Sequence, residues 1–136
     1  MPADHSRVNF SETVKILSEM IGLHMADLSD FQKFVEKQPG WRHMAGWMDM
    51  SDLQIFENFK LDAGLGNLIY FVNDVSYLDG RGAFEVSGED VVRFVSGFLD
   101  VFGENLFNGD VLVACPDLSI IWAFHHDGWT IRADLP

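Results

Sequence analysis

The adjacent histidines His125 and His126 are the residues whose type most suggests chemistry, as metal ligands or proton carriers. They end a strand-like run, Ser119–His126, and precede Asp127-Gly128, a pair that predicts a two-residue type I′ hairpin. Neighbouring side chains on a strand point to opposite faces, so the two imidazoles are expected not to reach one metal ion. His24 and His43 carry no HxH, HExxH or CxxC spacing, and the expectation is a protein without metal or cofactor. Cys115 is the sole cysteine; it sits between strand residues and Pro116, where a buried, inert thiol is expected. No Gly-x-Ser-x-Gly elbow is present. Leu65-Gly66-Asn67 and Gly80-Arg81-Gly82 read as turns, because neither leads from a strand into a helix as a phosphate cradle would. Carboxylate pairs such as Glu89/Asp90 and Asp74/Asp79 could exchange protons, but a solvated acidic face accounts for them more simply. These residues favour a binding protein over an enzyme.

Charge points the same way. The chain carries a formal net charge of −12, and residues 61–136 hold twelve acids against three bases, with no lysine after Lys60. A field of that sign repels nucleic acid and anionic lipid and speeds encounter with a basic partner. The acids of this half fall largely in turns and at helix ends, where they stay exposed. Asp74, Asp79, Glu85, Glu89, Asp90, Glu104, Asp110, Asp117 and Asp127 make an anionic surface suited to a basic protein. Contact is expected above all at Asp74, Asp79, Glu85, Glu89 and Asp90, and at His125 and Arg132 on the mixed face of the C-terminal hairpin. The N-terminus has neither a basic nor an apolar leader region, the apolar runs are too short to cross a bilayer, and the expected location is the cytoplasm.

The elements that must position these groups follow from periodicity. At 136 residues, 48% apolar and without a repeat or a Pro/Ser-rich linker, the chain is expected to form one domain over 1–136. A first helix is predicted from an N-cap at Ser11 to Gly22, and a second from a capping box at Ser29-Asp30-Phe31-Gln32 to Pro39-Gly40. Another box, Ser51-Asp52-Leu53-Gln54, opens a short helix through Phe59. Between them, WRHMAGWMDM (41–50) reads as a core-filling loop, with an exposed partner surface as its alternative. Leu68–Val75 and Ala83–Val86 read as strands joined through Asp79-Gly80-Arg81-Gly82. Ser87 is the expected N-cap of a mostly buried helix ending at Gly103, since its apolar residues cover over half its circumference.

A meander of Asp110–Cys115, Ser119–His126 and Trp129–Ala133 completes an α+β fold: N-terminal helices, an antiparallel sheet with a C-terminal three-stranded meander, and one buried helix packed on the sheet. With a two-residue loop, Trp122, Phe124 and Ile131 share an apolar face, and His125, Ala123, Ile121 and Arg132 the mixed one.

The run GDVLVACPDLSIIWAFHHDGW (109–129), together with size, acidity and aromatic richness, resembles the small acidic immunity proteins of bacterial toxin–immunity systems. The resemblance implies a cytoplasmic α+β domain whose acidic surface blocks a cognate toxin, often a nuclease. The alternatives are a small acidic secretion chaperone or adaptor, against which the C-terminal strand counts, and an enzyme of unrecognised type.

Overall fold

The computed structural model of the protein describes residues 6–22, 24–58 and 68–135. Phe59 and the Leu65-Gly66-Asn67 turn lie outside the described residues.

The first two helices form through caps two residues upstream of those expected. α1 (Phe10–Ile21) is capped by Asn9, whose Oδ1 accepts from Glu12 N at 2.8 Å. α2 (Leu28–Glu36) is capped by Asp27, whose Oδ1 accepts from Asp30 N at 3.1 Å and from the Ser29 hydroxyl at 2.6 Å. Ser11 and Ser29 thus lie inside or beside the first turn, because an upstream Asn or Asp already takes up the free amides. α3 (Asp52–Asn58) starts on the expected box: Ser51 Oγ accepts from Gln54 N, and Gln54 Oε1 from Ser51 N.

Among the described residues, seven strands make one antiparallel sheet. They are β1 (Ser6–Val8), β2 (Arg42–His43), β3 (Leu68–Val72), β4 (Ala83–Ser87), β5 (Val111–Cys115), β6 (Ile120–Phe124) and β7 (Trp129–Asp134). Their order is β1-β4-β3-β5-β6-β7-β2. Every residue of β5 and β6 is buried, as their unbroken apolar composition requires of strands covered on both faces. Val111, Val113, Cys115, Ile120, Trp122 and Phe124 meet a layer containing α3 and α5 (Val91–Phe102). Leu112, Ala114, Ile121, Ala123 and Ile131 meet α1 and α2. The architecture is α+β, with helices on each face of the sheet and β5-β6-β7 as the meander.

The hairpin register differs from the expected one by one residue. Trp122 pairs with Arg132, Ala123 with Ile131, and Phe124 with Thr130. His125 N donates to Trp129 O and Gly128 N to His125 O, so the loop is the three residues 126–128. A type I′ turn needs positive φ at both central residues; Gly128 has it, at 89°, but Asp127 does not. The Trp47 ring lies where a Gly128 side chain would stand, 2.2 Å from an ideal Cβ, so the turn is shaped around it. The slip puts Ile131 on the α1/α2 side and Trp122 and Phe124 on the other, and removes the apolar-versus-mixed division of the hairpin.

Three further expectations are corrected. The strand expected through Val75 stops at Val72, where Asn73 and Ser76 form a capping box and start α4 (Asp74–Leu78). Asp90, not Ser87, caps α5, and the Ser87 hydroxyl donates to Asp90 Oδ2 at 3.1 Å. Only one stripe of α5 is buried: Val91, Phe94, Val95 and Phe98 are covered, while Val92, Leu99 and Val101 are about half exposed. In residues 41–50, Met44, Trp47 and Met50 pack on the α3/α5 core and Trp41 on the other, while Met48 is exposed. Cys115 is buried, and burial pushes its thiol pKa up.

Trp122 is fully buried at the centre of β6. Trp122→Ala should cost about 3–5 kcal/mol, the range for truncating a large core aromatic, and the shift of the urea-unfolding midpoint measures it.

Candidate functional site

An open cleft of about 640 Å³ lies between the N-terminal turns of α1 and α2 and one end of the sheet. Val72 and Leu112 form its apolar floor; Phe10 and Tyr77, stacked with ring centroids 5.3 Å apart, form one wall. Three carboxylates line it, Asp27, Asp74 and Asp110, and no lysine, arginine or histidine is among the described lining residues. A narrower recess shares Gln32, Asp110 and Leu112 with the cleft and carries it on to Trp41 and His125.

Each carboxylate is held by backbone geometry. Asp27 is the N-cap of α2, and hydrogen bonds from Ser29 and the Asp30 amide hold its pKa below the usual carboxylate value. Asp74 opens α4 and lies against Gly109, where an ideal Cβ would stand 2.5 Å from Asp74 Oδ2. Gly109 has a φ of 133°, so both its conformation and the space beside it require glycine.

Asp110, at the start of β5, is set by the loop before it. The buried Asp52 carboxylate accepts from Leu106 N at 2.8 Å and Phe107 N at 3.2 Å, and Asn73 Nδ2 donates to Leu106 O at 3.1 Å. Burial raises the Asp52 pKa, with the two amides working against the rise. The field converges on Tyr77, whose pKa is raised first by burial and then by the charges of Asp74, Asp110 and Asp27.

At the far end of this region, Asp110 Oδ1 lies 3.0 Å from both the backbone nitrogen and Nδ1 of His126, and that contact raises the histidine's pKa. His125 and His126 do not point to opposite faces. The strand ends at Phe124, and in the turn that follows the two rings stack with centroids 3.9 Å apart. One ligand atom each from Asp110, His125 and His126 lies within 4.8 Å of the others, a grouping able to hold a metal ion. The strand-alternation argument against shared coordination therefore fails.

The structure brings together only part of the surface expected from sequence. Asp74 lines the cleft and His125 its continuation. Asp79 is taken by Arg7, whose Nη1 and Nη2 donate to its two oxygens at 2.9 and 3.0 Å while the guanidinium stacks on Phe84. Glu85 accepts from the Tyr70 hydroxyl at 3.0 Å; burial first, and then Glu85, push the Tyr70 pKa up to about 12. Glu89 and Asp90 lie just before α5, with Asp90 3.8 Å from Arg93, and Arg132 sits over the Trp122 ring beside Asp134. None of these five lines the cleft. Asp110 belongs to the expected anionic surface, whereas Asp27, Phe10 and Tyr77, which complete the site, do not. The sequence signal for Asp27 was its place one residue before an amphipathic run; that for Asp110 was Asn108-Gly109 immediately ahead of a strand.

No protein-family model, curated protein or solved structure matches the chain. Function therefore rests on the geometry. Carboxylates around an aromatic wall can hold a cation, above all a planar guanidinium that stacks and forks at once. Among the described residues, no helix is long and apolar enough to cross a membrane.

Gly109→Ala should destabilise the protein by about 1–3 kcal/mol through backbone strain and push Asp74 out of position, both readable from urea unfolding. Asp79 yields a pH dependence. Burial opposes the charged form, but the Arg7 hydrogen bonds, the Arg81 amide and the charges of Arg7 and Arg81 together outweigh it and hold the pKa below the ordinary value. A lowered folded pKa stabilises above the unfolded value, about 3.9, and that contribution is lost as pH falls through the folded pKa. The stability gap between wild type and Asp79→Asn should therefore be widest near neutrality and narrow in acid, as urea midpoints taken across that range would show.

Proposed function

We propose that this protein binds a basic protein partner through the Asp27/Asp74/Asp110 cleft and acts as an immunity protein that neutralises a cognate bacterial toxin, a nuclease domain fitting the charge. The observation that carries the reading is the concentration of three carboxylates on an apolar, aromatic-walled cleft with no base among its described lining residues. Such a surface competes with an anionic substrate for the arginines and lysines of a nuclease. Long-range attraction from the net charge of −12 speeds encounter, and burial of a guanidinium against Phe10 and Tyr77 slows release. The resemblance of residues 109–129 to immunity-protein sheet segments supports the same setting, since this stretch contributes Asp110, His125 and His126.

Co-expression with the toxin domain encoded directly upstream tests the proposal. Wild type should protect cells against that toxin alone; absence of protection, or a gene with no toxin beside it, sinks the immunity role. Asp27→Ser keeps a capping hydroxyl and Asp74→Asn keeps shape, so the double variant removes charge without removing the fold. It should slow association about tenfold at low salt and flatten the salt dependence. Glu89→Lys/Asp90→Lys reads whether the interface extends past the cleft. If only that pair slows association, the cleft is not the binding surface.

A further inference from the structure

We propose that Asp110, His125 and His126 form a binding site for a divalent transition-metal ion, of the zinc, nickel or copper type, at the end of the acidic cleft. The ligands flank two neighbouring strands: β5 and β6 pair Val111 with Phe124, which sets Asp110 beside the turn that carries both histidines. One ligand atom from each residue lies within 4.8 Å of the other two. Two imidazoles and one carboxylate suit borderline ions; calcium and magnesium favour oxygen-only sets.

The turn already orients the groups. Asp110 Oδ1 lies 3.0 Å from both the His126 backbone nitrogen and Nδ1, so the two ligand atoms Oδ1 and Nδ1 already stand within the separation that one ion imposes. The Asp127 amide donates to His125 Nδ1 at 3.3 Å. An ion held by both Asp110 and His126 takes the place of their 3.0 Å hydrogen bond and uses His126 Nδ1, whereas on His125 Nε2 is the nitrogen its turn bond leaves unengaged. Bonds of about 2.0–2.1 Å bring ligand atoms to within roughly 3.5 Å of one another, so the side chains must close by about an ångström. The His125 and His126 side chains are 34% and 56% exposed and have room to rotate. Asp127 Oδ2, 3.7 Å from His126 Nε2, adds negative charge beside the site. Three protein ligands leave a fourth position open to water or to a partner's side chain.

Titration of the chelator-stripped full chain with zinc chloride, followed by calorimetry, tests this independently of any toxin. One ion should bind per chain, and His125→Ala, His126→Ala and Asp110→Asn should each weaken binding at least about tenfold, with His24→Ala unchanged. Since Asp110→Asn also alters the turn, copper(II) electron paramagnetic resonance supplies a second readout: coupling to two nitrogens in wild type and to one in either histidine variant. Binding that survives within twofold in either histidine variant, or a copper spectrum unchanged by both, overturns the proposal.

Discussion

β5 and β6 are buried on both faces, and that single condition organises the molecule. A strand with no solvent-facing side needs a helical layer above and another below. α3 and α5 supply one, with phenylalanines 94 and 98 set against Phe71 and Phe84. α1 and α2 supply the other, and their N-terminal turns stand apart over one end of the sheet. There Val72 and Leu112 become a floor without a roof, and the cleft is the result. Its apolar base is core material; its charged rim is made of caps and turns, which the core does not control.

That rim is nevertheless placed with care. Asp52 spends a buried charge on two amides of the loop at 106–107, and Asn73 closes the same loop from the other side. An isolated carboxylate in that position would be costly, and its two amide partners are what make it tolerable. The loop then runs through Gly109, pressed against Asp74, into Asp110. Two of the three cleft carboxylates are thus fixed by one chain of backbone contacts, and a disturbance at Asp52 reaches both.

The layout of helices and strands was readable in the residues because its causes are local. Ser51-Asp52-Leu53-Gln54 starts a helix where the pattern says so, Gly22 and Gly103 end helices in the left-handed conformation, and the three C-terminal strands fall within a residue or two of their expected ranges. What failed was settled by distant neighbours. The Asp127-Gly128 pair favours a two-residue turn in isolation, but Trp47, eighty-one positions earlier, seats on Gly128 and goes with a three-residue loop. Leu68–Val75 has strand composition throughout, yet Asn73 and Ser76 cap one another and turn the chain into α4. The site was half legible for the same reason. Acidity after Lys60 showed in the composition, whereas Asp27 joins Asp74 and Asp110 only once α2 lies over the sheet.

The outermost strands, β1 and β2, are only three and two residues long. A sheet with an apolar centre of this kind invites a second chain to continue its ladder wherever a long flat border is left open. Among the described residues each border offers only a few backbone groups, and β2 carries the exposed Arg42 and His43. The sheet, over those same residues, thus ends at both borders in strands too short to carry a long open ladder, and its long apolar strands lie inside.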